Sequence, residues 1–207
     1  LVGDKGTARD ESRFFAREGV PPLSHAFARK IAVHPGLGGG RVAPEEMGSF
    51  MDFLLDQERK GRSVAYIHVP FCRTHCLFCG FYKKKYHKDE SRLYTNAVIA
   101  EMELWRGRKT LESGPVHALY LGGGTPTELE PEDILRLLKA ARRILPLAND
   151  CEITVEGRLS NFDARKMEAC LEGGANRFSL GVQSFHTDIR RAMGRLGTRE
   201  EMVRGLE

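Results

Sequence analysis

The stretch YIHVPFCRTHCLFCGFY, residues 66–82, runs from an apolar segment straight into three cysteines, Cys72, Cys76 and Cys79. The spacing C-x3-C-x2-C places three thiols on one short loop directly after a strand, Val64–Val69. Structural zinc takes four protein ligands, and catalytic zinc takes three that include a histidine or carboxylate. An electron-transfer cluster is held by four cysteines. Three cysteines without an evident fourth ligand suit a [4Fe–4S] cubane with one iron left open, where a small molecule can bind and be activated. The alternative is a zinc knuckle completed by His68, His75 or His87.

The surrounding composition is that of a globular chain. Apolar residues make up 41% and charged residues 29%, and the net charge of +4 is too mild to point to nucleic acid. No leader-like or membrane-spanning run is present in the 207 residues, so the chain reads as cytoplasmic, where thiols stay reduced and disulfides are rare. Cys151 opens an expected strand and Cys170 lies on an expected helix, both as small buried hydrophobes. Lys83, Lys84, Lys85 and Lys88 form the one dense basic run. It reads either as a solvated face or as a surface for an anionic substrate or a reductase.

Working outward, residues 1–62 read as an N-terminal segment of short helical stretches. It is interrupted by breakers at 19–22 and 36–40, with a helix expected from Pro44 to about Gln57. Residues 63–207 alternate strand and helix. Strands are expected at 64–69, 116–121, 151–156 and 177–182, and helices at 91–109, 131–145 and 164–171, with more helix after the last strand. Repeated βα units argue for an α/β fold with a parallel sheet covered by helices, which right-handed crossovers coil into a barrel or half-barrel.

In parallel barrels the functional groups gather where strands end. After the second strand comes Gly122-Gly123-Gly124-Thr125-Pro126-Thr127, whose glycines let backbone approach a ligand closely. The third strand ends at Glu156, a carboxylate able to accept two hydroxyl hydrogen bonds or to hold an ammonium group. The fourth runs into Gly181-Val182-Gln183-Ser184-Phe185, and Arg195 follows twelve residues after Gln183.

The cysteine run resembles the signature of the radical SAM enzymes, and GGGTP at 122–126 resembles the matching element of the oxygen-independent coproporphyrinogen III oxidase group. The resemblance implies a partial (βα)6 barrel, of which the first four units are present. It implies a [4Fe–4S] cluster on Cys72, Cys76 and Cys79, with S-adenosylmethionine (SAM) chelated at the open iron and cleaved to a deoxyadenosyl radical. By position it assigns SAM contacts to Tyr66, Phe78, Gly123, Gly124, Thr125, Glu156, Gln183 and Arg195.

Within that group, coproporphyrinogen oxidases carry a further cysteine where Phe81 stands, and haem chaperones carry an aspartate where Gly80 stands. Three segments are most similar to the anaerobic haem-degrading radical SAM methyltransferases, the anaerobilin synthase type. These are the run from Cys72 to Tyr82, Glu156-Gly157-Arg158, and the N-terminal PLSHAFARKIAVHPG at 22–36. That resemblance implies methylation and opening of haem to a linear tetrapyrrole with release of iron. It implies haem or another porphyrin as substrate and a low-potential electron donor such as flavodoxin or ferredoxin. His25 or His34 would be iron ligands, and the lysine run would meet propionates. Oxidative decarboxylation of coproporphyrinogen and haem chaperoning without turnover are the alternatives. Family members continue beyond a fourth unit, so the chain is expected to be a fragment of a longer protein.

Overall fold

Apolar residues at alternate positions of Val64–Val69 build the first strand, β1, in which Ile67 and Val69 are buried and Tyr66 and His68 face the other way. The computed structural model describes residues 42–80 and 82–207, and Glu45–Glu207 group into one contact unit. His25, His34, the 22–36 motif, the two breaker clusters and Phe81 lie outside the described residues.

After helix α1 (Met47–Leu55) and β1 come two short strands, β2 (Phe71–Cys72) and β3 (Lys84–Lys85). The chain continues through α2 (Lys88–Leu104), α3 (Lys109–Glu112), β4 (Val116–Gly123), α4 (Pro131–Ile144) and β5 (Leu147–Gly157). It then runs through α5 (Ala164–Gly173), β6 (Arg177–Leu180), α6 (Thr187–Ala192) and α7 (Arg199–Arg204). Strands β1, β4, β5 and β6 form a parallel sheet in that order, with Tyr66 beside Tyr120, Tyr120 beside Thr154 and Thr154 beside Arg177. These are the expected βα units.

Local chemistry explains three of the helices. α4 starts on Pro131 with Glu132 and Asp133 in its first turn and ends on Arg142 and Arg143, so both ends suit the helix dipole. Its residues Ile134, Leu137, Leu138 and Ala141 recur at helical spacing and are fully buried. α5 is capped by Asp163, whose carboxylate accepts from the Lys166 amide at 3.0 Å, and it ends at Gly174 in the left-handed region. α7 carries a reciprocal capping box between Thr198 and Glu201.

The core lies between the helices and one face of the sheet, where Val69, Leu119, Leu121 and Val155 meet the α4 residues. Each such side chain contributes about 1.5–3 kcal/mol on burial. Cys151 and Cys170 belong to this core, and burial pushes the Cys170 thiol up to about 12. The opposite face carries the polar row that leads to the strand mouths, including Tyr66, Tyr120 and Glu156.

Several boundaries differ from expectation. β5 begins at Leu147 rather than at Cys151 because a register shift lets Val116 pair with Leu147 before Ala118 pairs with Glu152. Asn149 and Asp150 are poor strand formers, so the sequence there reads as loop. α2 starts at Lys88, with Asp89 and Glu90 in its favoured first turn, and stops at Leu104. β6 ends at Leu180, and the segment after it holds Gln183 at φ 69.

Candidate functional site

The cysteine loop is closed at its base by a short parallel ladder. Phe71 pairs with Lys84 and Cys72 with Lys85, and the Tyr86 amide donates to the Cys72 carbonyl at 3.0 Å. Inside the loop the Cys79 amide donates to the Cys76 carbonyl at 2.9 Å, and the Leu77 amide donates to the Met193 carbonyl at 3.0 Å. The loop is thus held both at its root and at its tip.

Each thiol has a distinct setting. Cys72 is buried with its sulfur 3.3 Å from the Thr125 hydroxyl. Burial pushes its thiol up most, the Thr125 contact and the Arg158 charge pull it down, and Cys79 and Cys76 push it up further. Cys76 is 3% exposed, and the Arg158 guanidinium donates to its sulfur at 3.3 Å. Cys79 is half-buried. No disulfide joins any of the five cysteines, all of which are described.

Cys76, Phe78, Cys79, Gly124, Glu156, Gln183 and Arg195 line one cavity of about 270 Å³ at the strand mouths. Seven of the expected site residues, two of the thiols among them, therefore converge on one space. Thr125 is absent from this wall because its hydroxyl turns to the Cys72 sulfur. Gly123 lies behind it, its amide donating to Glu156 Oε2 at 3.2 Å. Tyr66 stands on the polar face of β1, its ring stacked on Tyr120 with centroids 6.0 Å apart.

Glu156 is aimed from both sides. Tyr120 donates its hydroxyl to Oε1 at 2.6 Å, and Gly123 holds Oε2. The tyrosine hydroxyl is pushed up by burial first, then by its bond to the Glu156 carboxylate. Arg195 is 6% exposed and donates to the Gly181 carbonyl at 2.7 Å. Burial lowers its affinity for its proton, while the neighbouring Cys76 raises it. Gln183 sits in the left-handed region at φ 69, a conformation non-glycine residues adopt rarely and often at functional sites.

Two contributors were not assigned a role from the sequence. Tyr120 lies two residues before Gly122 and so shares its sheet face, a signal that strand alternation offers. Arg158 reaches Cys76 across 82 positions in the chain, and nothing local announces that.

Among the described residues, no three His, Cys, Asp or Glu side chains gather round a single-ion site. His75 stacks on Tyr82 with its Nε2 3.4 Å from the Cys79 carbonyl oxygen, and His68 lies 3.5 Å from the Tyr66 hydroxyl. Both histidines therefore have partners other than the three sulfurs. Three thiols beside two guanidiniums suit an anionic thiolate-held cluster. A Cβ at Gly181 would lie 3.1 Å from Gln183 Nε2 and 3.4 Å from Arg195 Nη2, so glycine there keeps the polar pocket open for a ligand. The residues fit a [4Fe–4S] cluster and a zwitterionic molecule beside it.

The lysine run is partly committed elsewhere. Lys84 pairs with Glu90, and Lys88 lies 3.9 Å from Glu130. Among the described residues no helix is long and apolar enough to cross a membrane.

The family profile described as "Radical SAM superfamily" matches residues 66–207. Anaerobilin synthase of Escherichia coli O157:H7 is 43% identical over 187 residues, which is 90% of this chain and 41% of that protein. An oxygen-independent coproporphyrinogen III oxidase of Paracoccus denitrificans is 39% identical over 133 residues, 63% of this chain and 29% of that protein. A heme chaperone of Bacillus subtilis is 32% identical over 144 residues, 69% and 38% respectively. The solved coproporphyrinogen III oxidase of Escherichia coli, reported as a radical SAM enzyme, aligns with a TM-score of 0.62 at 29% identity, covering 74% of this chain and 35% of that one. The chain thus spans about two-fifths or less of the length of each of these relatives.

Proposed function

The chain belongs to the radical SAM superfamily, and from that premise we propose that the whole protein methylates and opens haem without oxygen, releasing iron and a linear tetrapyrrole. The observation that carries the reading is the single cavity in which Cys76 and Cys79 meet Gly124, Glu156, Gln183 and Arg195. The branch assignment is supported by 43% identity over nine-tenths of the chain to an anaerobilin synthase, and by Gly80 and Phe81 in the cysteine loop.

Cys72, Cys76 and Cys79 would hold the cluster. With SAM at the open iron, the pair would supply a carbon-centred radical able to take hydrogen from an unreactive C–H bond. The chain's own residues bind and orient. Glu156, fixed by Tyr120 and Gly123, presents a carboxylate to hydroxyl or ammonium groups of SAM. Arg195 offers its guanidinium to a carboxylate, and Gln183 offers an amide beside it. Phe78 gives the cavity an apolar side near the thiols. In this reading residues 63–207 carry the barrel, and the lysine run contributes to a haem site. The electron comes from a low-potential donor such as flavodoxin or ferredoxin, in the cytoplasm.

Removal of the Tyr120 hydroxyl tests how Glu156 is aimed. A hydrogen bond to a charged group is worth about 1.5–3 kcal/mol. Tyr120→Phe is therefore expected to weaken SAM binding about tenfold while leaving iron content unchanged. Equilibrium binding of labelled SAM checks this, and an unchanged affinity would remove Tyr120 from the site.

The function itself is tested on the full-length protein, reconstituted anaerobically and given SAM, haem and a strong reductant. Mass spectrometry is expected to find a haem-derived linear tetrapyrrole with an added methyl group. Intact haem beside deoxyadenosine would favour chaperoning, and a vinyl porphyrinogen formed from coproporphyrinogen would favour oxidative decarboxylation.

A further inference from the structure

The Arg158 guanidinium touches the Cys76 sulfur, and its placement is built in several steps. Its backbone continues the end of β5. Its amide donates to the Thr127 hydroxyl at 3.3 Å, and that hydroxyl in turn donates to Asn161 Oδ1 at 2.8 Å. Gly157 makes the approach possible, since a Cβ there would lie 2.7 Å from the same Thr127 oxygen. From this anchored base the side chain crosses to the cysteine loop. Nη1 donates to the Thr74 hydroxyl at 2.8 Å, and Nη2 donates to the Thr74 carbonyl and to the Cys76 sulfur, each at 3.3 Å.

None of these partners is a carboxylate. A half-buried guanidinium without a counter-ion is costly, and it has no acceptor capacity of its own. Its neighbours Arg190 and Arg195 give no relief, because both are cations bonded to backbone carbonyls. Among its hydrogen-bond partners, the group that carries negative charge as a thiolate is the Cys76 sulfur. Three thiolates leave an assembled cluster anionic, and reduction adds a further negative charge. A cationic donor on a ligand sulfur therefore stabilises the reduced state more than the oxidised one, since hydrogen bonds to sulfur and local charge set cluster potentials.

We propose that Arg158 is a positioning residue that tunes the cluster: its guanidinium, donating to Cys76 Sγ, raises the midpoint potential so that a one-electron donor can reduce it. Thr74 serves as the second point of the fork and keeps the loop in reach. This role rests on the reading of Cys72, Cys76 and Cys79 as cluster ligands.

The test is an anaerobic redox titration of the reconstituted full-length protein, with dithionite as electron source and EPR as readout. It compares wild type, Arg158→Lys and Thr74→Val. Lysine keeps the charge but loses the planar fork and cannot hold Thr74 and Cys76 together. Arg158→Lys is expected to retain iron and to become harder to reduce by about tenfold in the electron equilibrium, a 59 mV fall for one electron. Thr74→Val removes the brace and leaves the donor on the sulfur, so its potential is expected to stay at the wild-type value.

A wild-type potential in Arg158→Lys would overturn the proposal. If that variant fails to keep its cluster while Thr74→Val keeps it, the sulfur contact holds the cluster rather than tuning it, and the proposal is overturned. Loss of the cluster in both variants would overturn it, because the Thr74 brace would then account for the effect. A wild-type protein that assembles no cluster would overturn the ligand assignment, and this role with it.

Discussion

Cys76→Ala is expected to abolish the cluster: reconstituted protein should lose its broad visible absorbance, and its iron and sulfide should fall to background. The expectation follows from geometry as well as spacing. Cys76 lies at the inner wall of the strand-mouth cavity with only 3% of its surface exposed, and its sulfur is the acceptor of the Arg158 guanidinium. A cluster left with two thiolates has lost a ligand that no neighbour can replace. His75 is engaged with Tyr82 and the Cys79 carbonyl, and no further cysteine lies in the loop. The backbone of the loop does not depend on the sulfur, because the bond from the Cys79 amide to the Cys76 carbonyl survives the substitution. The variant should therefore fold. Cys151→Ala, which alters a core thiol, should keep full iron. Normal iron and sulfide in Cys76→Ala would refute the ligand assignment.

The second large effect belongs to Gly124. Its amide donates to the Val69 carbonyl at 2.7 Å, and the next amide, of Thr125, donates to the Phe71 carbonyl at 2.8 Å. These bonds extend the ladder between β1 and β4 to the residue before Cys72. A Cβ on Gly124 would run into the Phe71 carbonyl oxygen, lie 2.9 Å from the Phe71 carbonyl carbon and sit 3.0 Å from the Val69 carbonyl oxygen. All three are backbone atoms, so no side-chain rotation relieves the clash. Gly124→Ala is expected to cost about 3 kcal/mol, the upper end for overpacking. It should also lower cluster content, because Phe71 must move and Cys72 moves with it. Urea unfolding and iron analysis check both parts. Gly48→Ala, in a helix with open space around it, is the matched control and should be at least as stable as wild type. Equal stability of the two variants would mean that the loop root is not packed as described.

Much of this arrangement was legible before any coordinates. The parallel sheet followed from apolar segments such as 64–69 and 116–121 separated by helix-length patterns, because burial on one face imposes a readable period. Glu156 and Gln183 stood out as polar residues placed where strands stop. Other parts were not legible, for specific reasons. Leu147–Asp150 join β5 through a register shift, which depends on pairing with β4 and not on local propensity. Thr125 reads as part of a ligand-gripping turn, yet its hydroxyl rests on Cys72, a choice made by the tertiary approach of two loops. Arg158 was visible only as part of a short motif. Its partner lies 82 residues away, and only the folded chain brings them together.

The central claim is that three cysteines hold a [4Fe–4S] cluster whose fourth iron binds SAM. It is tested most directly by EPR of the reduced, reconstituted full-length protein before and after addition of SAM. The account predicts a [4Fe–4S] signal with about four irons per chain and a SAM-dependent change in its g-values. A cluster signal indifferent to saturating SAM would contradict it, because the fourth iron would then be closed to the molecule that the site is built to hold.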